Sequence, residues 1–107
     1  SKYKDILFRS SWEVRAAKFL DEHNIIWEYE PETFIVSSSL SYTPDFYLPE
    51  YGIYLEVKGY FRNDKSLEKF DLFAKDHVIM LIRRKQMNDL NSILGFIDEN
   101  NQKKEIG

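Results

Sequence analysis

Two short stretches of the chain place charge where strands favour apolar side chains. In Tyr42-Thr43-Pro44-Asp45-Phe46-Tyr47-Leu48 a lone carboxylate, Asp45, follows a proline among aromatic and apolar neighbours. In Tyr54-Leu55-Glu56-Val57-Lys58-Gly59-Tyr60 the charges of Glu56 and Lys58 interrupt a second run of the same kind. Strand side chains alternate between faces, so Glu56 and Lys58 project to one side while Leu55 and Val57 project to the other. Pro49-Glu50-Tyr51-Gly52, between the two stretches, has turn chemistry. If the strands pair through that turn, Asp45 lies near Glu56 across the ladder. Two carboxylates and an ammonium then meet at one place in a largely apolar sheet. Burying such charges is costly unless something compensates them, and a hard divalent cation does that for carboxylate oxygens. The same residues would also make a plain exposed hairpin with a cross-strand Lys–carboxylate pair.

Other polar residues are weighed against structural roles. Glu13 follows Ser10 by three positions, which is a capping-box pattern. On the helical wheel it lies about 100° from Trp12, at the edge of the apolar stripe beside Leu20, so it borders the core. Glu30 could reach the same place from a neighbouring strand or simply be solvated. His23 and His77 end apolar helical faces, as core or rim histidines do, and make no zinc site. Arg62, Lys65, Lys69, Arg83, Arg84 and Lys85 could touch phosphates or form a solvated rim. Trp12 and Trp27 read as core. Neither a phosphate-cradling glycine loop nor a serine triad is present.

The elements that must hold these residues follow from periodicity. Ser10 to His23 reads as an amphipathic helix, with Trp12, Ala16, Phe19, Leu20 and His23 on one face and Asn24 as its stop. Ile25 to Glu30 is rich in β-branched and aromatic residues and reads as the first strand; Phe34 to Val36 continues it or pairs with it. The serines from Ser37 to Ser41 mark a loop. Tyr42 to Leu48 and Ile53 to Lys58 are the second and third strands, read as a hairpin. A second helix is expected from about Lys65 to His77, capped by Asn63 or Asp64, with Leu67, Phe70, Phe73, Ala74 and His77 on one face. Val78 to Ile82 is a continuous apolar run, the mark of a strand buried on both faces. A third helix from about Met87 to Glu99 turns Met87, Leu90, Ile93, Leu94 and Ile97 inward, and the polar tail from Asn100 frays. The order is α-β-β-β-α-β-α: an α/β fold with one mixed four-stranded sheet flanked by helices.

Composition bounds the class. The 107 residues, 43% hydrophobic and 31% charged, fit a single globular domain. Neither an apolar run long enough to span a membrane nor a secretory signal is visible. The absence of cysteine excludes thiolate zinc sites and disulfides, and fits a reducing intracellular compartment. With 15 basic and 18 acidic residues the net charge is −3, which by itself argues against bulk electrostatic binding of nucleic acid.

The string Pro44-Asp45, ten residues, then Glu56-Val57-Lys58 resembles the PD-(D/E)XK nuclease signature, placed on the second and third strands of an αβββαβ core. The segments RSSWE from Arg9, WEYEPETF from Trp27 and YTPDFYLPEYGIYLEVKGYF from Tyr42 together resemble small phage and mobile-element endonucleases. These include homing endonucleases of this fold and the phage endonuclease I type of Holliday-junction resolvase. The likeness runs from about Phe8 to about His77. It implies a restriction-endonuclease-like core with an additional C-terminal helix. It also implies Asp45 and Glu56 as ligands of a catalytic Mg²⁺ (Mn²⁺ able to substitute), with the Val57 carbonyl completing the set. Lys58 would orient or deprotonate the attacking water, and Glu13 would bind the metal or its water. Two such ions would bring the net charge to about +1, so the apo charge understates affinity for DNA.

The activity so implied is metal-dependent hydrolysis of duplex DNA, first by the nuclease domain of a homing-type endonuclease. The alternative is a junction resolvase, which must be a homodimer to cut two strands symmetrically; the Ser37–Ser41 connector could let a strand swap between protomers. A third reading is a DNA-binding or assembly module that keeps the fold without catalysis. The low charge and the start without Met read as a nuclease module excised from a longer chain whose DNA-recognition parts lie elsewhere.

Overall fold

Before the first helix comes a short hairpin that the sequence patterning does not announce. In the computed structural model, which describes residues 1–61 and 63–106, β1 (Lys2–Tyr3) pairs antiparallel with β2 (Ile6–Leu7). The two turn residues between them, Lys4 and Asp5, both have positive φ (51° and 65°). That is the geometry of a two-residue turn whose twist matches its strands. Tyr3 and Lys4 tie the hairpin down by bonding Asp21 at 2.6 and 3.0 Å.

Helix α1 (Ser11–Glu22) begins where the capping box predicts, with Ser10 as its N-cap. Its end is a Schellman motif: Asn24 is left-handed (φ 58°), its N–H donates to the Asp21 carbonyl, and the Ile25 N–H reaches back to Leu20. The strand expected over Ile25–Glu30 shortens to β3 (Glu28–Tyr29): the Ile25 N–H is taken by the end of α1, and Glu30 turns to φ 44°. Phe34–Ile35 does not extend it. As β4 it pairs instead with β5 (Ser41–Tyr42), making a separate two-stranded ribbon around the serine loop.

The strand read as Tyr42–Leu48 is broken. Thr43, Pro44 and Asp45 lie between β5 and β6 (Phe46–Leu48), since proline has no N–H to give a ladder. The turn at 49–52 is as expected, with Gly52 at φ 66°, and β7 (Ile53–Val57) returns antiparallel to β6. Helix α2 (Asp64–Ala74) is capped by Asn63, whose side chain accepts the Ser66 N–H. It leads to β8 (Ile79–Ile82), parallel to β7.

The main sheet has the order β3-β6-β7-β8 and is mixed, so the expected sequence of helix, three strands, helix and strand is found. β8 is an edge strand in which only Ile82 is fully buried, whereas burial on both faces was expected. The C-terminal helix expected over Met87–Glu99 starts later, as α4 (Asn91–Ile106), and continues past Asn100; a separate short helix, α3 (Arg84–Met87), precedes it where only the end of the strand was expected. The inward face is nonetheless as read: Met87, Ile93 and Ile97 are in the core, with Leu90 and Leu94 against it.

The sheet separates two apolar layers. On one face Phe46, Leu48, Ile53, Leu55 and Val57 join Ala16, Ala17 and Leu20 of α1 and Ile93 and Ile97 of α4. On the other, Tyr54 meets Phe73 of α2 with ring centroids 5.0 Å apart; Phe34 and Tyr42 of the ribbon lie 4.9 and 5.0 Å from the same ring. Of the expected α2 face only Phe73 is fully buried, and Leu67 and Ala74 are exposed. Strand alternation puts Glu56 on the same side as Tyr54, at the edge of this aromatic layer.

Candidate active site

Among the described residues, the buried charged side chains are Glu13, Asp45 and Glu56, at 4%, 7% and 4% exposure. All three line one cleft of about 970 Å³, together with Val57, Lys58, Trp12, Arg9, Glu30, Tyr42, Lys69 and Arg84. Four elements converge there: the start of α1, the Pro44 break before β6, the end of β7, and α2.

Asp45 and Glu56 are brought together by register. Phe46 pairs with Leu55 in the ladder, so the next residues outward are Asp45 and Glu56. One step further Val57 would face Pro44, which has no N–H to exchange. The Asp45 carboxylate, rather than the Pro44 carbonyl, takes the Val57 N–H, at 2.7 Å, and the ladder ends. The Asp45 backbone remains tied to β3 through its carbonyl, which accepts the Glu30 N–H at 2.8 Å. The proline thus opens the sheet, and the aspartate closes over the gap.

Glu56 accepts a 2.6 Å bond from the Tyr42 hydroxyl on Oε1, and its Oε2 lies 3.6 Å from Lys58 Nζ. Burial drives the Asp45 carboxyl up to about 9, reinforced by the charges of Glu56 and Glu13 and opposed by the Val57 N–H and Lys58. Burial also raises Glu56, against the pull of the Tyr42 hydroxyl, Lys58 and the Asp45 backbone N–H. Without a counter-cation these two carboxyls resist sharing negative charge.

Glu13 serves the helix and faces the cleft at once. Its Oε1 accepts the N–H of Arg9 (2.9 Å) and of Ser10 (3.1 Å) and the Tyr29 hydroxyl (3.0 Å), while Ser10 Oγ accepts the Glu13 N–H. The capping box therefore fixes where the carboxylate sits. Among the described residues no group of three or more His, Cys, Asp or Glu side chains is close enough to hold a metal. Asp45 and Glu56 are the pair, and Glu13 stands further off, felt by Asp45 through its charge.

The remaining sequence candidates divide. Glu30 lines the cleft, but its Oε2 is paired to Arg9 Nε at 2.8 Å. Lys69 and Arg84 line the cleft; Lys65, Arg83 and Lys85 are exposed and do not, and Arg62 lies outside the described residues. Arg83 instead bonds the Gly59 carbonyl at 3.2 Å. His23 is exposed, its Nδ1 bonded to the Phe19 carbonyl. His77 stacks on Phe73 with ring centroids 3.9 Å apart. Trp12 is half-buried on the cleft wall rather than core, with the Arg84 guanidinium 5.7 Å from its ring. Trp27 is also half-buried, and its Nε1–H bonds Asp21 at 2.9 Å. Three contributors escape a reading of the sequence. Arg9 carries no periodic signal, and Tyr29 and Tyr42 look like ordinary strand aromatics.

An α/β domain with a mixed sheet, a proline break and buried carboxylates beside a lysine is the class that this geometry defines. Residues 1–100 match the phage endonuclease I family, and the chain belongs to it. Over 79 residues it is 38% identical to Endonuclease I of Escherichia phage T7, a match covering 71% of this chain and 52% of that protein. The chain thus spans about half the length of the curated relative it matches. No solved structure matches. The homing-endonuclease expectation has no support in these matches and gives way to the phage endonuclease I type. Among the described residues no helix is long and apolar enough to cross a membrane.

Proposed function

We propose that this chain is the catalytic part of a metal-dependent DNA endonuclease that resolves four-way junctions, built on a restriction-endonuclease-like core. The observation that carries the reading is the pairing of Asp45 with Glu56 beside Lys58 at the Pro44 break, inside a cleft. Membership of the phage endonuclease I family supports it and favours junctions over a homing-type target.

The donor set suits Mg²⁺ or Mn²⁺. Asp45 and Glu56 offer hard carboxylate oxygens, and the register gives the Val57 carbonyl no N–H from Pro44 to satisfy it. Mg²⁺ is commonly held by one or two carboxylates and keeps several waters, so a third carboxylate in contact is not required. When bound, such an ion lowers the pKa of its water and neutralises charge developing on the phosphate. Glu13, held rigidly by Ser10 and Tyr29, is placed to accept a hydrogen bond from water in the cleft rather than to join the pair. Lys58, half-exposed and tethered to Glu56, supplies positive charge to the scissile phosphate and orients the attacking water. Arg9, Lys69 and Arg84 give the rim cations for neighbouring phosphates.

A homodimer would be able to cut both strands. The test is cleavage of a four-way junction and of a linear duplex of the same sequence, with Mg²⁺ and with EDTA. Junction-selective cutting that EDTA abolishes is expected. Equal cutting of both substrates would remove the junction reading, and cutting in EDTA would remove the metal.

A further inference from the structure

The β4–β5 ribbon stands outside the main sheet, yet it delivers a hydroxyl to the site. Tyr42 is buried, and its O–H meets Glu56 Oε1 at 2.6 Å. The ring is seated on Phe73 of α2, and Phe34, paired with Tyr42 across the ribbon, packs on the same phenylalanine. The hydroxyl is therefore placed by two elements, neither of which contains Glu56.

The geometry points to Tyr42 as a positioning residue of the cation site: by occupying Oε1 it fixes the Glu56 carboxylate and leaves Oε2, the oxygen beside Lys58, as the one offered to a divalent ion. This rests on the reading of Asp45 and Glu56 as the metal-holding pair. Ligating carboxylates held by outer hydrogen bonds lose metal affinity, typically 10–100-fold, when the partner is removed. Glu13 provides a contrast inside the same cleft. Its Oε1 has a tyrosine too, Tyr29, but keeps two backbone N–H donors when that hydroxyl is lost. Removing the Tyr42 hydroxyl takes the side-chain donor from Glu56 Oε1 and leaves the Asp45 backbone N–H and Lys58 to hold the carboxylate, whereas Glu13 keeps two N–H donors on the same oxygen when the Tyr29 hydroxyl is removed.

The experiment is Mn²⁺ binding without DNA, read by the electron paramagnetic resonance of the free ion, for wild type, Tyr42→Phe, Tyr29→Phe and Asp45→Ala. Each is measured at a temperature where circular dichroism shows it folded; phenylalanine keeps the ring on Phe73, so Tyr42→Phe should fold. Tyr42→Phe is expected to weaken Mn²⁺ by about tenfold or more, and Tyr29→Phe by no more than about twofold. Metal-free affinity of Tyr42→Phe for a four-way junction should equal wild type, and its cleavage rate should recover at high Mn²⁺. Wild-type Mn²⁺ affinity in Tyr42→Phe, with binding lost in Asp45→Ala, would overturn the role of Tyr42 and leave the site standing. Wild-type affinity in Asp45→Ala would overturn both.

Discussion

Asp45 Oδ2 holds the backbone N–H of Val57 at 2.7 Å, where the β6–β7 register would otherwise set Val57 against Pro44. A side-chain oxygen thus takes the Val57 N–H that the Pro44 carbonyl would otherwise accept, while proline, lacking an N–H, gives the Val57 carbonyl nothing in return. The exchange has two results. It bends the second strand out of the sheet at Thr43–Asp45, sending Tyr42 to the ribbon, and it buries a carboxylate beside Glu56. Pro44 and Asp45 act as a unit, one opening the backbone and the other occupying the gap.

The buried pair should make the metal-free protein less stable as pH rises. The Asp45 carboxyl stands at about 9 in the fold against an ordinary 3.8. A carboxyl raised on folding contributes stability that is fully present below 3.8 and is lost as pH climbs toward 9. In EDTA the melting temperature should therefore fall between about pH 5 and pH 9. Asp45→Asn, which can still accept the Val57 N–H, should flatten that slope and raise stability at pH 7.5 by on the order of 1 kcal/mol. Mn²⁺ should raise the melting temperature of wild type and barely move the variant. A lower melting temperature for Asp45→Asn in EDTA would mean that the charge itself serves the fold.

The two duties of Glu13 can be separated. Ser10→Ala removes the acceptor for the Glu13 N–H and should cost about 1 kcal/mol in thermal or urea unfolding. Glu13→Gln keeps an oxygen for the Arg9 and Ser10 N–H groups, so stability should change by less than about 0.5 kcal/mol while cleavage drops. Full activity in Glu13→Gln would confine this residue to capping.

Arg9 and Glu30 form an exposed ion pair on the cleft rim, worth roughly 0–1 kcal/mol to the fold. Glu30→Gln should release Arg9 to a phosphate. Fluorescence anisotropy should then show tighter DNA binding, with the salt dependence of log K steeper by about one contact. Weaker binding and lost cleavage would instead place Glu30 among the reacting groups.

Legibility in the sequence tracked how local the determinant is. The capping box at Ser10 and Glu13 lies within one helical turn, and α1 starts where the pattern puts it. The Asp45–Glu56 juxtaposition follows from strand alternation and the turn at 49–52, and the register brings the two side by side. The misread elements depend on contacts that a single stretch does not encode. Tyr42–Leu48 reads as continuous because proline tolerance depends on which neighbour asks for the N–H. Lys4-Asp5 lacks the Asn-Gly or Asp-Gly signature of its turn, and the hairpin is anchored through Asp21, far along the chain. Met87 and Leu90 keep the apolar periodicity of the residues that follow, so the helix reads as starting at Met87, and the break at Asn88–Leu90 and the turn of α3 before it go unseen. The role of Tyr42 is not legible in the sequence because its partner, Glu56, is reached only after the chain leaves the ribbon.

Single-turnover cleavage of a four-way junction in Mg²⁺ by Asp45→Asn, beside its junction affinity in EDTA, tests the central claim most directly. Asparagine preserves the bond to Val57 and removes only the charge that would hold the ion. The cleavage rate should fall by about a thousandfold or more, equivalent to roughly 4 kcal/mol of barrier. Junction affinity in EDTA should stay equal to wild type or become tighter, since asparagine brings no negative charge to the cleft. A variant that cuts at the wild-type rate would contradict the assignment of Asp45 to the catalytic metal.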